Sequence, residues 1–129
     1  MQYSLLVTAG PDSQAATTAL RAAEAVLARG HTLFRIFFYR QGVLIANRFT
    51  SVSAGETDIC AQWRAFIHDH HLDAVVCIGA ALRRGIVDAT EAARLELDGD
   101  NLASEFVLSG LGQWAEAVAV SDRVMSFGR

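Results

Sequence analysis

Short apolar segments alternate with longer helical segments along the whole chain, and this alternation constrains the fold more than any other feature. The apolar segments are typical of buried strands and lie at 3–10, 32–39, 72–79, 105–110 and 122–128. The segments between them favour helices, at 13–30, 58–71, 88–97 and 111–121. Strands that are apolar throughout are buried on both faces. The pattern therefore predicts an α/β fold, a small doubly wound domain with a mostly parallel sheet of about five strands and helices on both faces.

The length of 129 residues fits a single domain over residues 1–129. Hydrophobic residues make up 52% of the chain, which is rich for this size, so part of the apolar surface is expected to cover a subunit interface. No segment approaches the roughly 18 uncharged apolar residues of a membrane span. The N-terminal apolar run also lacks the basic residues of a signal peptide. We therefore expect a cytoplasmic protein.

The charge composition argues against a protein that binds nucleic acid stably by itself. The formal net charge is -3, and all 11 basic residues are arginines, with no lysine. Autonomous nucleic-acid binding requires a basic surface. Arg83 and Arg84 remain as a local positive spot.

A cysteine ends the third predicted strand, in the segment DAVVCIGAALRRG at 73–85. Reactive groups in parallel sheets gather beyond the carboxyl ends of the strands, and Cys77 lies at that edge. The helical turn after it offers backbone N–H groups, and Arg83 and Arg84 follow within two turns. Each of these features favours a thiolate over a thiol. The competing interpretation is a small core residue, because free cysteine is among the most buried residue types.

The spacing of Cys77 and Arg83 also matches Cys-x5-Arg, the signature of cysteine phosphatases and arsenate reductases. In those enzymes the loop amides and the arginine hold an oxyanion. Two fixed residues in seven recur often by chance, and Ala80, Ala81 and Leu82 favour a helix over such a loop. The phosphatase or arsenate reductase interpretation stays open as an alternative.

The other candidate residues have structural interpretations. Cys60 lies at the margin of the apolar face of a helix and is expected to fill the core rather than react. His68 and His71 are spaced to chelate a metal, but no further ligands accompany them, so we expect no metal. The turn at 10–13 is expected to cap the first helix. The segment at 40–57 shows no clean period and predicts a long loop, which in a compact domain is often a functional or docking segment.

Four segments together resemble the DsrE/TusD family of sulfur-relay proteins: HTLFRIFFYRQGV, AVVCIGAALRRGIVD, NLASEFVLSGLGQWAEA and SDRVMSFG. The resemblance covers nearly the whole chain. It implies a small α/β domain with a parallel sheet, a sulfurtransferase activity, and Cys77 as the residue that carries the persulfide sulfur. The run at 109–112 follows another strand and is expected to border the same cleft.

The resemblance also implies partners. Such a subunit works in a heterohexamer with TusB- and TusC-like subunits. It receives sulfur from a TusA-like donor and passes it to a TusE-like acceptor, for 2-thiouridine formation at the tRNA wobble position. The alternatives are a DsrE-type subunit of a DsrEFH complex in dissimilatory sulfur oxidation and a non-catalytic scaffold subunit. Thiol exchange requires no metal or organic cofactor, so none is expected.

Overall fold

The structure is a computed structural model and describes residues 1–128. Five strands form one sheet, in the order β4-β3-β2-β1-β5, and every neighbouring pair is parallel. In chain order the elements are β1 (Gln2–Val7), α1 (Gln14–Ala28), β2 (Thr32–Phe38), a 3-10 helix (Arg40–Ala46), α2 (Ile59–Asp69), β3 (Ala74–Cys77), α3 (Ile78–Arg83), α4 (Ala89–Arg94), β4 (Val107–Ser109), α5 (Gly112–Val120) and β5 (Arg123–Phe127).

Helices cover both faces of the sheet, as the sequence predicts. Successive side chains of a strand point to opposite faces of the sheet, so Phe37 and Phe38 of β2 lie on different faces. The ring of Phe38 packs edge-on against Trp63 of α2, with ring centroids 5.3 Å apart. The ring of Phe37 lies 6.2 Å from Trp114 of α5. With right-handed crossovers, α1 and α2 lie together on one face, where Trp63 of α2 bonds to Ala16 of α1, and α5 lies on the other.

The core is aromatic where β2 meets α2. Phe38 and Trp63 are fully buried, and Phe106 makes a second edge-on contact with Phe38. The indole N–H of Trp63 donates a hydrogen bond to the carbonyl of Ala16 at 3.1 Å. The one polar group of this cluster is therefore paired, and α2 is fixed to α1.

The prediction of a loop over 40–57 is wrong for its first part. Residues 40–46 form a 3-10 helix that packs into the core, with Gly42, Val43, Ile45 and Ala46 buried. The buried positions recur every three residues, the period of a 3-10 helix, which a search for a 3.6-residue period does not detect. Gly42 allows the close approach, because a Cβ there would collide with the carbonyl oxygen of Val7. Residues 51–57 are exposed, as expected of a loop.

A buried arginine interrupts the apolar pattern of β2. Arg35 forms ion pairs with Asp73, just before β3, and with Glu116 of α5, each at 2.8 Å. It also donates to the carbonyl of Gln113 at 2.8 Å. Burial alone would lower the pKa of Arg35, but the hydrogen bonds to Glu116 and Asp73 outweigh burial and hold that pKa above its ordinary value. This network fixes α5 to the middle of the sheet.

Within residues 1–128, no helix combines the length and apolar character that crossing a bilayer requires.

Candidate functional site

Cys77 is the last residue of β3 and the N-cap of α3, as the sequence predicts. Its backbone is extended, with φ -61° and ψ 118°, and its side chain makes no capping hydrogen bond to the helix. The residue is 5% exposed. Since no residue within 1–128 hydrogen-bonds to the sulfur, the thiol lies just inside the carboxyl edge of the sheet without a fixed partner.

The strand register shows which face of the sheet Cys77 occupies. Val75 is paired with Phe37, whose ring points toward α5, and Cys77 lies two residues beyond Val75. Its side chain therefore belongs to the α5 face. Cys77 is paired in register with Ser109, the last residue of β4. The first residue of the run at 109–112 therefore lies beside Cys77 in the sheet.

The two arginines after Cys77 differ in what they contact. Nε of Arg84 donates to the side-chain oxygen of Gln41 at 3.2 Å, and its Nη1 donates to the carbonyl of Ala80 at 3.1 Å. The guanidinium of Arg83 lies over Gly79, where an added Cβ would be 3.7 Å from Nη1. Arg83 makes no hydrogen bond or ion pair to any residue in the range 1–128. Arg84 is thus engaged, and Arg83 is an unpaired cation beside the first turn of α3.

Sequence reasoning missed Gln41. It belongs to the 3-10 helix that the missing 3.6-residue period concealed, and a lone polar residue there carries no chemical signature. The glycine after it was the available signal, because a glycine directly beyond an apolar strand favours close backbone approach.

Cys60 occupies the core, as expected. It lies in the first turn of α2 and is 1% exposed. Burial raises the pKa of the Cys60 thiol, and the nearby carboxylate of Asp58 raises it further. Both effects favour the unreactive thiol form, in contrast to the setting that a nucleophilic cysteine needs.

The carboxyl edge also carries a cavity of about 440 Å³, lined by residues 8–13 together with Gln41 and Leu44. The backbone of 10–13 forms the entry to α1, where the side chain of Ser13 accepts a hydrogen bond from the N–H of Ala15 at 3.2 Å. The prediction of a capped turn is confirmed. Cys77 does not line this cavity. Gln41 does line it and accepts the hydrogen bond from Arg84, the C-cap of the helix that follows Cys77.

His68 lies in the last turn of α2, and His71 follows the end of that helix. They line a smaller cavity of about 210 Å³ with Ser104 and Glu105. Across residues 1–128, no three His, Cys, Asp or Glu side chains are arranged to hold a metal ion.

The backbone after Cys77 is helical from Ile78 onward. A Cys-x5-Arg enzyme needs an open loop there whose amides converge on an oxyanion. In a helix only the first turn leaves N–H groups unpaired. This geometry does not form the loop that the phosphatase alternative requires.

Comparison with known proteins places these features in a family. The model of the DsrE/DsrF-like family matches residues 1–127. This chain belongs to that family. The sulfurtransferase TusD of Pectobacterium carotovorum subsp. carotovorum (strain PC1) is 49% identical over 129 residues, covering 98% of this chain and 99% of the relative. The sulfurtransferase TusD of Enterobacter sp. (strain 638) is 47% identical, covering 98% of this chain and 100% of its own length.

The fold is also found in a solved structure. The crystal structure of the ychN protein from E. coli superposes with a TM-score of 0.75, covers 98% of this chain and 100% of that chain, and is 19% identical in sequence. The expected family and α/β architecture are confirmed. The name shared by the TusD relatives agrees with the sulfurtransferase class expected from the sequence.

Proposed function

We propose that this chain is a TusD-like sulfurtransferase subunit that carries persulfide sulfur on Cys77, in a relay for 2-thiouridine formation at the tRNA wobble position. The observation that carries the proposal is the placement of Cys77. It ends a strand of the sheet at the carboxyl edge, and its sulfur has no hydrogen-bond partner within residues 1–128. The guanidinium of Arg83, which makes no hydrogen bond or ion pair within the same residues, lies over Gly79 in the first turn of the helix that follows. The names of the full-length relatives support the same activity.

The transfer is a thiol exchange. The Cys77 thiolate attacks the terminal sulfur of a donor persulfide, R–S–S⁻. The new S–S bond forms on Cys77 as the donor bond breaks, and the donor leaves as its thiolate, R–S⁻. No electrons are gained or lost overall, so no oxidant, metal or organic cofactor is needed. The reverse step toward an acceptor thiolate releases the sulfur again.

The site has groups that can stabilise the sulfur anion. The first turn of α3 leaves N–H groups unpaired next to Cys77, and hydrogen bonds to an ionised acceptor are the stronger kind. The guanidinium of Arg83, over Gly79, supplies a positive charge near the same turn. In this proposal Arg83 favours the anionic sulfur directly, whereas Arg84 already has two acceptors.

The depth of Cys77 suits a carrier. The thiol is 5% exposed, which limits contact with solvent and stray thiols. An S–S bond is about 2.05 Å long, so the terminal sulfur of a persulfide reaches roughly 2 Å farther than the thiol itself. The loaded sulfur would therefore extend past the sheet edge toward an incoming acceptor.

The α5 side of the molecule offers surface for the proposed subunits. Four apolar side chains there are about half exposed: Leu111 at the N-cap of α5, Val118 of α5, Val107 of β4 and Val124 of β5. Exposed apolar side chains of this kind support contact with TusB- and TusC-like subunits in a heterohexamer. A TusA-like donor and a TusE-like acceptor would approach Cys77 in the cytoplasm, where both cysteines stay reduced.

The relay is tested by measuring 2-thiouridine in tRNA from cells that lack this gene and carry a plasmid copy. We expect the Cys77→Ser copy to leave 2-thiouridine at the level of the empty plasmid, because oxygen cannot carry the transferred sulfur. The Cys60→Ser copy is the matched control and should restore it. Normal 2-thiouridine with Cys77→Ser would refute the role of Cys77. Normal 2-thiouridine in the deletion strain would refute the tRNA relay.

A further inference from the structure

Gln41 connects three elements at the carboxyl edge of the sheet. Its side-chain oxygen accepts the hydrogen bond from Nε of Arg84, at 3.2 Å. On its other side Gln41 packs against the turn after β1, where a Cβ added to Gly10 would lie 3.3 Å from the Cβ of Gln41. The adjacent Gly42 seats the 3-10 helix on the end of β1, since no Cβ fits beneath the Val7 carbonyl. The carboxamide is therefore presented to Arg84 from a fixed backbone.

Arg84 links Gln41 to α3, the helix that has Cys77 as its N-cap. Its Nη1 donates to the carbonyl of Ala80 at 3.1 Å, so the guanidinium bridges Gln41 and the body of α3. The helix has six residues, Ile78–Arg83, and Arg84 is its C-cap; Gly85 follows in the left-handed region at φ +75°. A helix this short is not stable by itself and depends on contacts with the rest of the fold, among them the packing of the buried Ala80 and Ala81. Any tilt of α3 would move its N-cap, Cys77, directly.

We propose that Gln41 is a positioning residue for Cys77 and that it acts through Arg84. The inference rests on the proposed role of Cys77 as the sulfur carrier. The bridge from Gln41 to Arg84 holds α3 against the 3-10 helix, and this keeps the sulfur at its shallow depth and orientation. The guanidinium of Arg84 is engaged by the bridge, whereas that of Arg83 lies over Gly79 without a hydrogen bond to any residue within 1–128.

Loss of the hydrogen bond between Gln41 and Arg84 should change the reaction rates of Cys77. Without the bridge α3 is looser, so Cys77 becomes accessible to a small neutral reagent at every pH. Productive sulfur transfer becomes slower, because it depends on a defined approach to the sulfur. Faster alkylation combined with slower sulfur transfer distinguishes a positioning role from loss of thiol reactivity.

The experiment measures alkylation of the full-length protein by iodoacetamide across pH 6 to 9, with peptide mass spectrometry resolving Cys77 from Cys60. Gln41→Ala should raise the Cys77 rate about five-fold at all pH values, the factor that corresponds to one ordinary hydrogen bond. Arg84→Ala removes the bonds to both Gln41 and Ala80 and should raise the rate at least as much. The double variant should match Arg84→Ala, because Gln41 acts only through Arg84. Gln41→Glu keeps an acceptor for Arg84 and should retain the wild-type rate.

The matched control is Gln62→Ala, which removes a similar glutamine–arginine contact, between Gln62 and Arg21 at 3.0 Å, away from Cys77. Its Cys77 rate should equal that of the wild type. A double variant about five-fold faster than Arg84→Ala, as two independent effects would give, would overturn the inference, as would an unchanged rate in Gln41→Ala. Alkylation needs no sulfur donor. The expected rates would therefore support the positioning role even if Cys77 failed to accept sulfur, which would refute the proposed function alone.

Discussion

At the scale of single residues, the neighbouring Arg83 and Arg84 look alike in the sequence but have different contacts in the structure. Sequence reasoning treats Arg83 and Arg84 as equal candidates to support Cys77. The structure separates them, because Arg84 has two acceptors while Arg83 lies unpaired over Gly79. Which side chain is already engaged depends on Gln41, more than forty positions away in the chain, so the sequence around the cysteine could not predict it.

The unpaired cation leads to a residue-scale prediction. Arg83→Ala should slow alkylation of Cys77 near pH 7 by about two- to ten-fold, because a nearby positive charge favours the thiolate. Arg83→Lys keeps the charge and should retain most of the rate. Arg29→Ala, at the opposite edge of the sheet, is the control. If Arg83→Ala leaves the rate unchanged, Arg83 does not act on the sulfur.

At the scale of elements, the 3-10 helix is the part of the fold that sequence patterns concealed. The strands, α1, α2 and α5 follow familiar periods, and each is found within a few residues of its predicted bounds. Strands β3 and β4 are shorter than predicted, yet Cys77 still ends its strand. The segment after β2 was predicted as a loop because its burial follows a three-residue period and depends on one glycine under β1.

Gly42 provides the element-scale prediction. Gly42→Ala would place a Cβ against the Val7 carbonyl, a backbone atom that cannot rotate away, so the 3-10 helix must shift. We expect a loss of about 1–3 kcal/mol in the free energy of unfolding, the usual range for overpacking, measured by urea denaturation. Gly99→Ala is the control, since nothing lies within 4 Å of its added Cβ. Equal stability of the two variants would contradict the close approach.

At the scale of the whole molecule, the direction of the crossovers determines which helices cover each face of the sheet beside Cys77. The steps from β1 to β3 place α1 and α2 on one face, and the return from β4 to β5 brings α5 to the other. Cys77 points toward the α5 face, next to Ser109. The alternation of apolar strands and helices was sufficient to predict the layers and the edge at which Cys77 lies. It could not predict the face, because that depends on strand register and order.

The central claim is that Cys77, and not Cys60, carries the transferred sulfur. The most direct measurement is the intact mass of each variant after incubation with a persulfidated donor protein. Cys60→Ser should gain about 32 Da, one sulfur atom, and lose it on treatment with a reducing agent. Cys77→Ser should fold and gain nothing. A gain of that mass by Cys77→Ser, or its loss only in Cys60→Ser, would contradict the account.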